Sequence, residues 1–259
     1  MKSSDFRNYA REKLKGKWGK VAKITLSYLF ISIIFAIIGA WIPGTLQSIW
    51  SIAICIFELP LSFGLLISLY KIYTDNDSQP FDFFSFGFDN FAKIWVAYFH
   101  RLLRILLPLI LTGLSVLLIV FGMVAASVSA VLYFHSAVNK SIIPFLIFAL
   151  IGVILYAIFM IWLITKSYYY SLSYIILADN PEITSKDAVL LSEKLMKGNR
   201  GKLFLLQISF IGWSLLAILS LGIGFIWLIP YMQFAQFSFY DSLVETEQLN
   251  SHSQENQKK

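Results

Sequence analysis

The run ILLPLILTGLSVLLIVFGMVAASVSAVLYF, residues 105–134, contains no Asp, Glu, Lys, Arg or His. As a helix it would extend about 45 Å at 1.5 Å per residue. A bilayer's hydrocarbon core is only ~30 Å thick. Helices buried in soluble proteins can be apolar on every face, but they average about 11–12 residues. Comparable uncharged runs cover 24–57, 59–70, 141–165, 167–178 and 203–240. None shows the repeated ten-residue alternation of a membrane β-barrel. The composition agrees: 58% of 259 residues are hydrophobic and 14% charged, against roughly 45–50% and about 25% in soluble domains. An aromatic content of 17% argues against disorder, and Cys55 alone excludes a disulfide scaffold. The expected fold is all-α, a polytopic transmembrane helical bundle of about six spans with interfacial amphipathic helices on the cytoplasmic side.

Breaks within the runs place the spans. Trp41-Ile42-Pro43-Gly44 separates a helix near 21–41 from one near 45–69, and Leu221-Gly222-Ile223-Gly224 separates 203–219 from 224–240. The third and fourth spans fall near 101–125 and 142–165, joined by a less regular stretch over 126–141. The last two are short for full crossings and suit a tilted pair or a hairpin. The first helix is too long in its apolar part for a cleaved secretory signal. Residues 241–259, polar and rich in Gln, Ser and Asn, read as a disordered cytoplasmic tail.

Eight lysines and arginines precede residue 24, and Lys186, Lys194, Lys197, Arg200 and Lys202 cluster before the fifth span. The connections at 42–45 and 220–223 carry no charge. This alternation predicts a multi-pass membrane protein with both termini cytoplasmic.

Residues 1–20 form a basic amphipathic segment. Ser4 is positioned to cap a helix whose Phe6, Ala10, Leu14 and Trp18 share one face, with Arg7, Arg11 and Lys15 on the others. Such a helix lies in the headgroup layer against anionic phospholipid, or serves only to fix topology. Its exit, Glu12-Lys13-Leu14-Lys15-Gly16-Lys17-Trp18-Gly19-Lys20, is echoed with one insertion by Glu193-Lys194-Leu195-Met196-Lys197-Gly198-Asn199-Arg200-Gly201-Lys202. A second capped helix begins at Thr184, with Asp187 at capping-box spacing. The glycines let each surface helix end and turn into the bilayer. The lipid-contact candidates are therefore Arg7, Arg11, Lys15, Trp18, Lys20, Lys197, Arg200 and Lys202. A degenerate third echo at 83–93 would make the 21–240 membrane domain three units, each a collar plus a helix pair.

Glu58 lies near the middle of the second span, two residues before Pro60. Pro60 frees a carbonyl and bends the helix, as Pro108 and Pro230 do in theirs. A carboxylate at that depth must face protein, stay protonated or meet a cation, with His100, Arg101 and Arg104 as candidates. It reads either as a coupling or substrate-binding acid, or as a structural ion pair or a carboxylate near enough to the interface to stay wet. Gln233 and Gln236 bridge helices or line a polar path. No catalytic set appears: His100, His135 and His252 are dispersed, and no metal or cofactor is expected. The basic surface suits anionic lipid rather than nucleic acid, whose readers need a solvent-exposed domain.

Certain motifs carry a resemblance. These are Ala10-Arg11-Glu12-x-Leu14-x-Gly16-Lys17-Trp18-Gly19, Tyr174-x-x-Leu177-Ala178-Asp179-Asn180-Pro181, Ser192-x-x-Leu195-Met196-x-Gly198, Lys202-Leu203-Phe204-Leu205-Leu206 and Gly222-x-Gly224-x-x-Trp227-x-x-Pro230-Tyr231. With them the chain resembles a family of uncharacterised bacterial integral membrane proteins, mainly Gram-positive, known as domain-of-unknown-function family 975. The resemblance implies a polytopic plasma-membrane protein with cytoplasmic termini and transfers no reaction or substrate. The expected activity is transport, lipid handling or envelope defence, without cytosolic catalytic domains; a lipid-acting enzyme with Glu58 as its acid is a lesser alternative. The alternative is a noncatalytic interaction or assembly subunit, with a membrane-protein partner or a second copy of the chain.

Overall fold

The computed structural model describes residues 2–136 and 142–256, with side chains over 2–131 and 142–249. Lys140 and the side chains of His135 and His252 lie outside the described residues. Among the described residues all regular secondary structure is helical: α1 (Ser3–Leu14), α2 (Trp18–Trp41), α3 (Thr45–Tyr73), α4 (Asp82–Asp89), α5 (Phe91–Ser136), α6 (Ile143–Tyr169), α7 (Ser173–Asp179), α8 (Ser185–Met196), α9 (Arg200–Ile208), α10 (Ile211–Leu219) and α11 (Phe225–Asn256). Among the described residues, five segments are long and apolar enough to cross a membrane: Trp18–Trp41, Thr45–Tyr73, Phe91–Val131, Ile143–Asp179 and Arg200–Leu219. The chain is an integral membrane protein with a polytopic helical bundle. It forms two compact units, one of residues 1–98 with 170–259 and one of residues 99–169.

The 99–169 unit is an antiparallel hairpin of α5 and α6 packed along small residues. Ser115, Gly122 and Ser129 lie seven residues apart on α5, and Thr112 and Ala126 two heptads apart; all five are buried. Ala149 and Gly152 face them from α6. A Cβ on Gly122 would come within 2.7 Å of the Ala149 nitrogen, and one on Gly152 within 2.8 Å of an Ile119 side-chain carbon. Lipid tails are as apolar as leucine, so helices associate here through close backbone approach, and small residues permit it. The large apolar side chains point outward: Leu117, Phe121 and Val124 are exposed on α5, as are Leu150, Ile158 and Ile161 on α6.

The other unit divides by burial. On α2 only Val21, Ile24 and Thr25 are buried, whereas Phe30, Ile33, Ile37 and Trp41 are exposed. On α3 every buried residue lies from Pro60 onward. The 26–41 and 45–59 stretches thus form a hairpin with a bare apolar surface, which lipid covers. The basic ends of α2 and α3 enter a protein-packed cap with α1, α4, α7, α8, α9 and α11. α4 lies backbone to backbone on α3, where a Cβ on Gly64 would be 1.9 Å from the Phe83 carbonyl oxygen and one on Gly87 2.4 Å from that of Pro60. Aromatic rings fill the centre, with Phe234, Phe237 and Phe239 of α11 fully buried. Tyr73 contacts Phe234 edge-on at 5.4 Å, and Phe6 contacts Phe239 in the same way at 5.4 Å.

Several expectations change. α5 continues through 126–136 as helix, so the irregular stretch predicted at 126–141 is helical as far as it is described. No Pro or Gly interrupts 126–136, and the exposed Ser127 hydroxyl donates back to the Met123 carbonyl one turn earlier at 2.8 Å, within the helix. The fifth span is broken at Ser209-Phe210 between α9 and α10. α11 is not among the segments apolar enough to cross; its first half is the core of the cap, and the expected disordered tail continues it as helix to Asn256. α1 starts at Ser3, not after a Ser4 cap, with the Lys2 amide donating to Asp5 at 2.7 Å.

The echoed collars share one backbone form. α1 and α8 are both twelve residues long, and a single offset of 182 relates them without the expected insertion. The residues after them, Lys15 and Lys197, have φ/ψ of −60/123 and −63/115; Gly16 and Gly198 have φ of 80 and 83; Lys17 and Asn199 have −110/−3 and −105/−2. The hydrogen bonds match as well. Lys17 N–H donates to Leu14 at 2.9 Å and Asn199 N–H to Met196 at 3.1 Å. Lys20 N–H donates to Lys17 at 3.0 Å and Lys202 N–H to Asn199 at 3.1 Å. Phe6, Ala10, Leu14, Val21 and Ile24 are buried, as are their counterparts Ala188, Ser192, Met196, Leu203 and Leu206. The α4–α5 junction at Asn90 (φ −103, ψ 13) has no left-handed glycine.

Candidate functional site

Two cavities open in the basic cap. The first, of about 530 Å³, lies between the start of α2 and the α10–α11 hairpin. Trp18, Trp213, Leu216, Trp227, Leu228 and Tyr231 supply most of its wall, and Arg11 joins them from α1. The local sequence explains the shape. Ser220 Oγ accepts from the Gly224 amide at 2.9 Å, closing the turn, and Gly224 lets α11 approach Ala217, where a Cβ would meet Cα at 2.7 Å. Tyr231 is the hub. Its ring meets Phe210 edge-on at 5.1 Å and Trp18 at 6.2 Å, and the Arg11 guanidinium lies 5.6 Å above it. Its hydroxyl donates to the Arg7 carbonyl at 3.4 Å, while Arg7 Nη1 donates to the Ser209 carbonyl at 3.3 Å. One wall is therefore aromatic and one end cationic.

The second cavity, of about 380 Å³, is polar. It lies at the α8–α9 turn, with Lys194, Lys197, Asn199 and Lys202 facing Glu245 and Glu247 of α11 over a floor that includes Phe6 and Phe239. At the matching α1–α2 turn the lysines meet the loop after α3. Asp75 takes Lys17 at 2.5 Å and Lys13 at 3.2 Å, and Asp77 takes Lys20 at 2.6 Å. These contacts hold both carboxyls below the usual carboxylate range: hydrogen bonds from Lys17 and Lys13 do so for Asp75, and one from Lys20 for Asp77.

Tyrosine–carboxylate bonds tie the cap's helices together. Tyr70 of α3 and Tyr240 of α11 donate to the two oxygens of Asp179, at 2.5 and 2.8 Å. Tyr73 donates to Asp241. Burial pushes the Asp241 carboxyl up, with nearby Asp179 and Glu245 adding to the rise, while the Tyr73 hydroxyl and Lys13 oppose it.

Glu58 is half-buried on α3, and its carboxylate accepts from the Tyr28 hydroxyl of α2. The partner is thus a phenol on the preceding helix, where the sequence pointed to 100, 101 and 104. Arg101 belongs to the 99–169 unit and donates to Ser167 Oγ at 3.3 Å. Arg104 is half-buried in that unit. Gln233 and Gln236 lie within the cap on α11; among the described residues Gln233 Oε1 is buried without a hydrogen-bond partner. Pro60, Pro108 and Pro230 each sit inside a helix that continues past them. Of the lipid-contact candidates, Arg11 and Trp18 line the first cavity, Lys197 and Lys202 the second, and Lys20 is paired with Asp77. Lys15 is exposed, and Arg200 is half-buried at the start of α9.

Sequence reasoning missed Tyr28, Trp213, Tyr231, Asp75, Asp77 and the tyrosine–aspartate ties. Asp75 and Asp77 had a legible signal, as the carboxylates following a helix that ends beside a basic collar. Tyr28 had none, since a tyrosine in a span reads as belt or packing. Among the described residues, no group of three or more His, Cys, Asp or Glu side chains is arranged to hold a metal.

No curated protein and no solved structure matches the chain. One family model does, over residues 1–247, and it is described as a protein of unknown function (DUF975). That match covers both units and both echoed collars, and the chain belongs to this family of bacterial proteins.

Proposed function

We propose that this protein handles lipid at the inner leaflet, seating an acyl chain of an anionic phospholipid in the aromatic cleft with its phosphate at Arg11. The cleft carries the reading. Its volume of about 530 Å³ falls within the ~300–1,000 Å³ range of small-molecule sites. Its tryptophans are the side chains that favour the headgroup boundary. A buried methylene contributes about 0.8 kcal/mol, so a chain of modest length would be held firmly. Arg11 offers a planar pair of donors to a phosphate, and a carboxylate-free wall leaves it that role. The excess of basic residues in the collars supports placing this face at the anionic cytoplasmic leaflet, with both termini on that side.

The test is quenching of tryptophan fluorescence by phospholipids brominated on the acyl chain. Brominated phosphatidylglycerol should quench more strongly than brominated phosphatidylcholine, and Arg11→Gln should remove the difference. Equal quenching by both lipids in the unsubstituted protein would sink the reading.

The Tyr28–Glu58 pair favours a second reading, in which Glu58 is a coupling acid for transport. The packing of α4 on Pro60–Gly64 weighs against it, because a helix bearing Asp82 and Asp89 then lies about one turn from Glu58. A carboxylate that close to polar surface serves as a tie between α2 and α3. Glu58→Gln with normal folding and lost cellular function would restore the coupling role.

A further inference from the structure

Two uncharged turns reverse the chain, 42–45 between α2 and α3 and 220–224 between α10 and α11, and their backbones are satisfied differently. At the α10–α11 turn every amide from Ser220 to Leu228 donates within the hairpin. The Gly222 amide reaches back to the Ala217 carbonyl at 3.0 Å, and the Gly224 amide donates to Ser220 Oγ at 2.9 Å. That hydroxyl donates in turn to the Ala217 carbonyl at 2.8 Å, so the one polar side chain of the turn is engaged both ways. Of the carbonyls from Leu216 to Gly224, those of Leu219 and Leu221 alone accept nothing among the described residues, a milder lack than an unmade amide. At the α2–α3 turn the amides of Gly44, Thr45 and Leu46 have no acceptor among the described residues, so water or a headgroup must supply one. Hydrocarbon tolerates only backbone that is satisfied from within. The first turn is thus built for a wet boundary and the second for a dry one.

Side chains and lengths agree. Leu221 has φ 55, a region leucine rarely adopts, and is 93% exposed, with Leu219 and Ile223 exposed beside it. In water such a position goes to Gly, Asn or Asp; a leucine there is stabilised by hydrocarbon. Trp18, Trp213 and Trp227 line one cleft, and tryptophans gather at the headgroup boundary. From that level α2 runs 24 residues to Trp41, about 36 Å, enough for a ~30 Å core. The stretch from Trp213 to Leu221 rises only about 12 Å by the same measure. Both arms also return to the same cap, where Leu203 and Leu206 of α9 and Phe234 and Phe237 of α11 are buried. α11 is not apolar enough to carry the chain back across a whole bilayer.

We propose that the α10–α11 hairpin is re-entrant: it dips from the side of the basic cap into the acyl chains of the adjacent leaflet and turns back within the hydrocarbon. The bare face of α10 is the interaction surface, and those acyl chains are its partner. α2, α3, α5 and α6 remain as the full crossings among the described residues. The cleft is bounded by Ser220 and Gly224 of this turn, so it faces a single leaflet over its whole length. The inference shares the placement of the cap with the lipid-handling reading, but it stands whether or not the cleft holds a ligand.

Single cysteines are introduced into the full-length protein carrying Cys55→Ser, as Leu221→Cys in one turn and Thr45→Cys in the other. The protein is placed in phosphatidylcholine nanodiscs, which leave both membrane faces open to buffer. A charged maleimide, which reaches thiols through water, should label Thr45→Cys and fail to label Leu221→Cys until the disc is dissolved in denaturant. Nitroxides on the same cysteines then report collisions with oxygen, which concentrates in hydrocarbon, and with a water-soluble nickel chelate. The label at 221 should favour oxygen, and the label at 45 the chelate. Labelling of Leu221→Cys in the intact disc to the level of Thr45→Cys overturns the proposal, because the turn then reaches a membrane surface. Equal protection of both cysteines overturns it too, since the two turns then do not differ. So does a protected Leu221→Cys whose nitroxide meets neither reagent, which would put protein over the hairpin in place of lipid. Ile223→Cys, exposed in the same turn, gives the same decision if Leu221→Cys does not fold.

Discussion

The α1–α2 and α8–α9 turns have the same lengths, dihedral angles and hydrogen bonds, yet their surroundings differ. The first is sealed by Asp75 and Asp77 and borders an apolar cleft; the second borders an open polar pocket. Backbone form at these turns is set by a buried face and a left-handed glycine, both of which the copies share. Binding character is set by the side chains around the glycine, where they diverge. A basic collar is thus more than a topology signal. Its lysines are paired with carboxylates of the chain at the first turn and border a cavity at the second.

The comparison breaks most visibly in the packing. Leu14→Ala and Met196→Ala remove equivalent, fully buried side chains. Each should cost about 2–5 kcal/mol of stability, measured by reversible denaturation in mixed micelles. A large loss at one site with almost none at the other would end the equivalence.

The next effect is conformational. Gly16 and Gly198 have φ of 80 and 83, and an added Cβ would meet nothing within 4 Å at either. Gly16→Val and Gly198→Val should therefore each cost about 1–3 kcal/mol through backbone strain alone. Asparagine, which tolerates the left-handed region, should recover much of that. Equal losses for valine and asparagine would point to a side-chain clash instead.

The smallest effects are electrostatic. Asp75 and Asp77 have folded-state pKa values lowered by their lysines. The stability they contribute is present above the ordinary carboxylate pKa near 4 and is lost as pH falls through the lowered values. Asp75→Asn should flatten that acid limb, seen as a smaller shift in unfolding midpoint between pH 5 and acid, and added salt should shrink it further. A full acid limb in Asp75→Asn would show that the pair contributes nothing.

The class of the protein was legible because charge-free runs of such length have few physical alternatives. The shared turn was legible through its glycines. What escaped were boundaries with no local marker. α5 continues past 125 because small residues such as Ala126 and Ser129 are compatible with both a loop and a helix packed on a partner. α11 reads as a span from its apolar residues, yet its phenylalanines point into the cap, and only tertiary packing distinguishes that from facing lipid. The stretch after Tyr240 looks disordered by composition. It is helical because it continues a helix already anchored, with Asp241 tied to Tyr73 and Lys194 to Glu247. The cleft was half visible, since Arg11 and Trp18 stood out as lipid contacts. Trp213, Trp227 and Tyr231, which complete it, lie about two hundred residues away, and only the fold brings them together.

The most direct test is an experimental density map of the protein in nanodiscs containing phosphatidylglycerol. Elongated density should lie among Trp18, Trp213 and Trp227, with its head against Arg11, and it should fade in Arg11→Gln. A well-resolved cleft collapsed onto its own side chains, or empty in the presence of that lipid, would contradict a lipid-handling role.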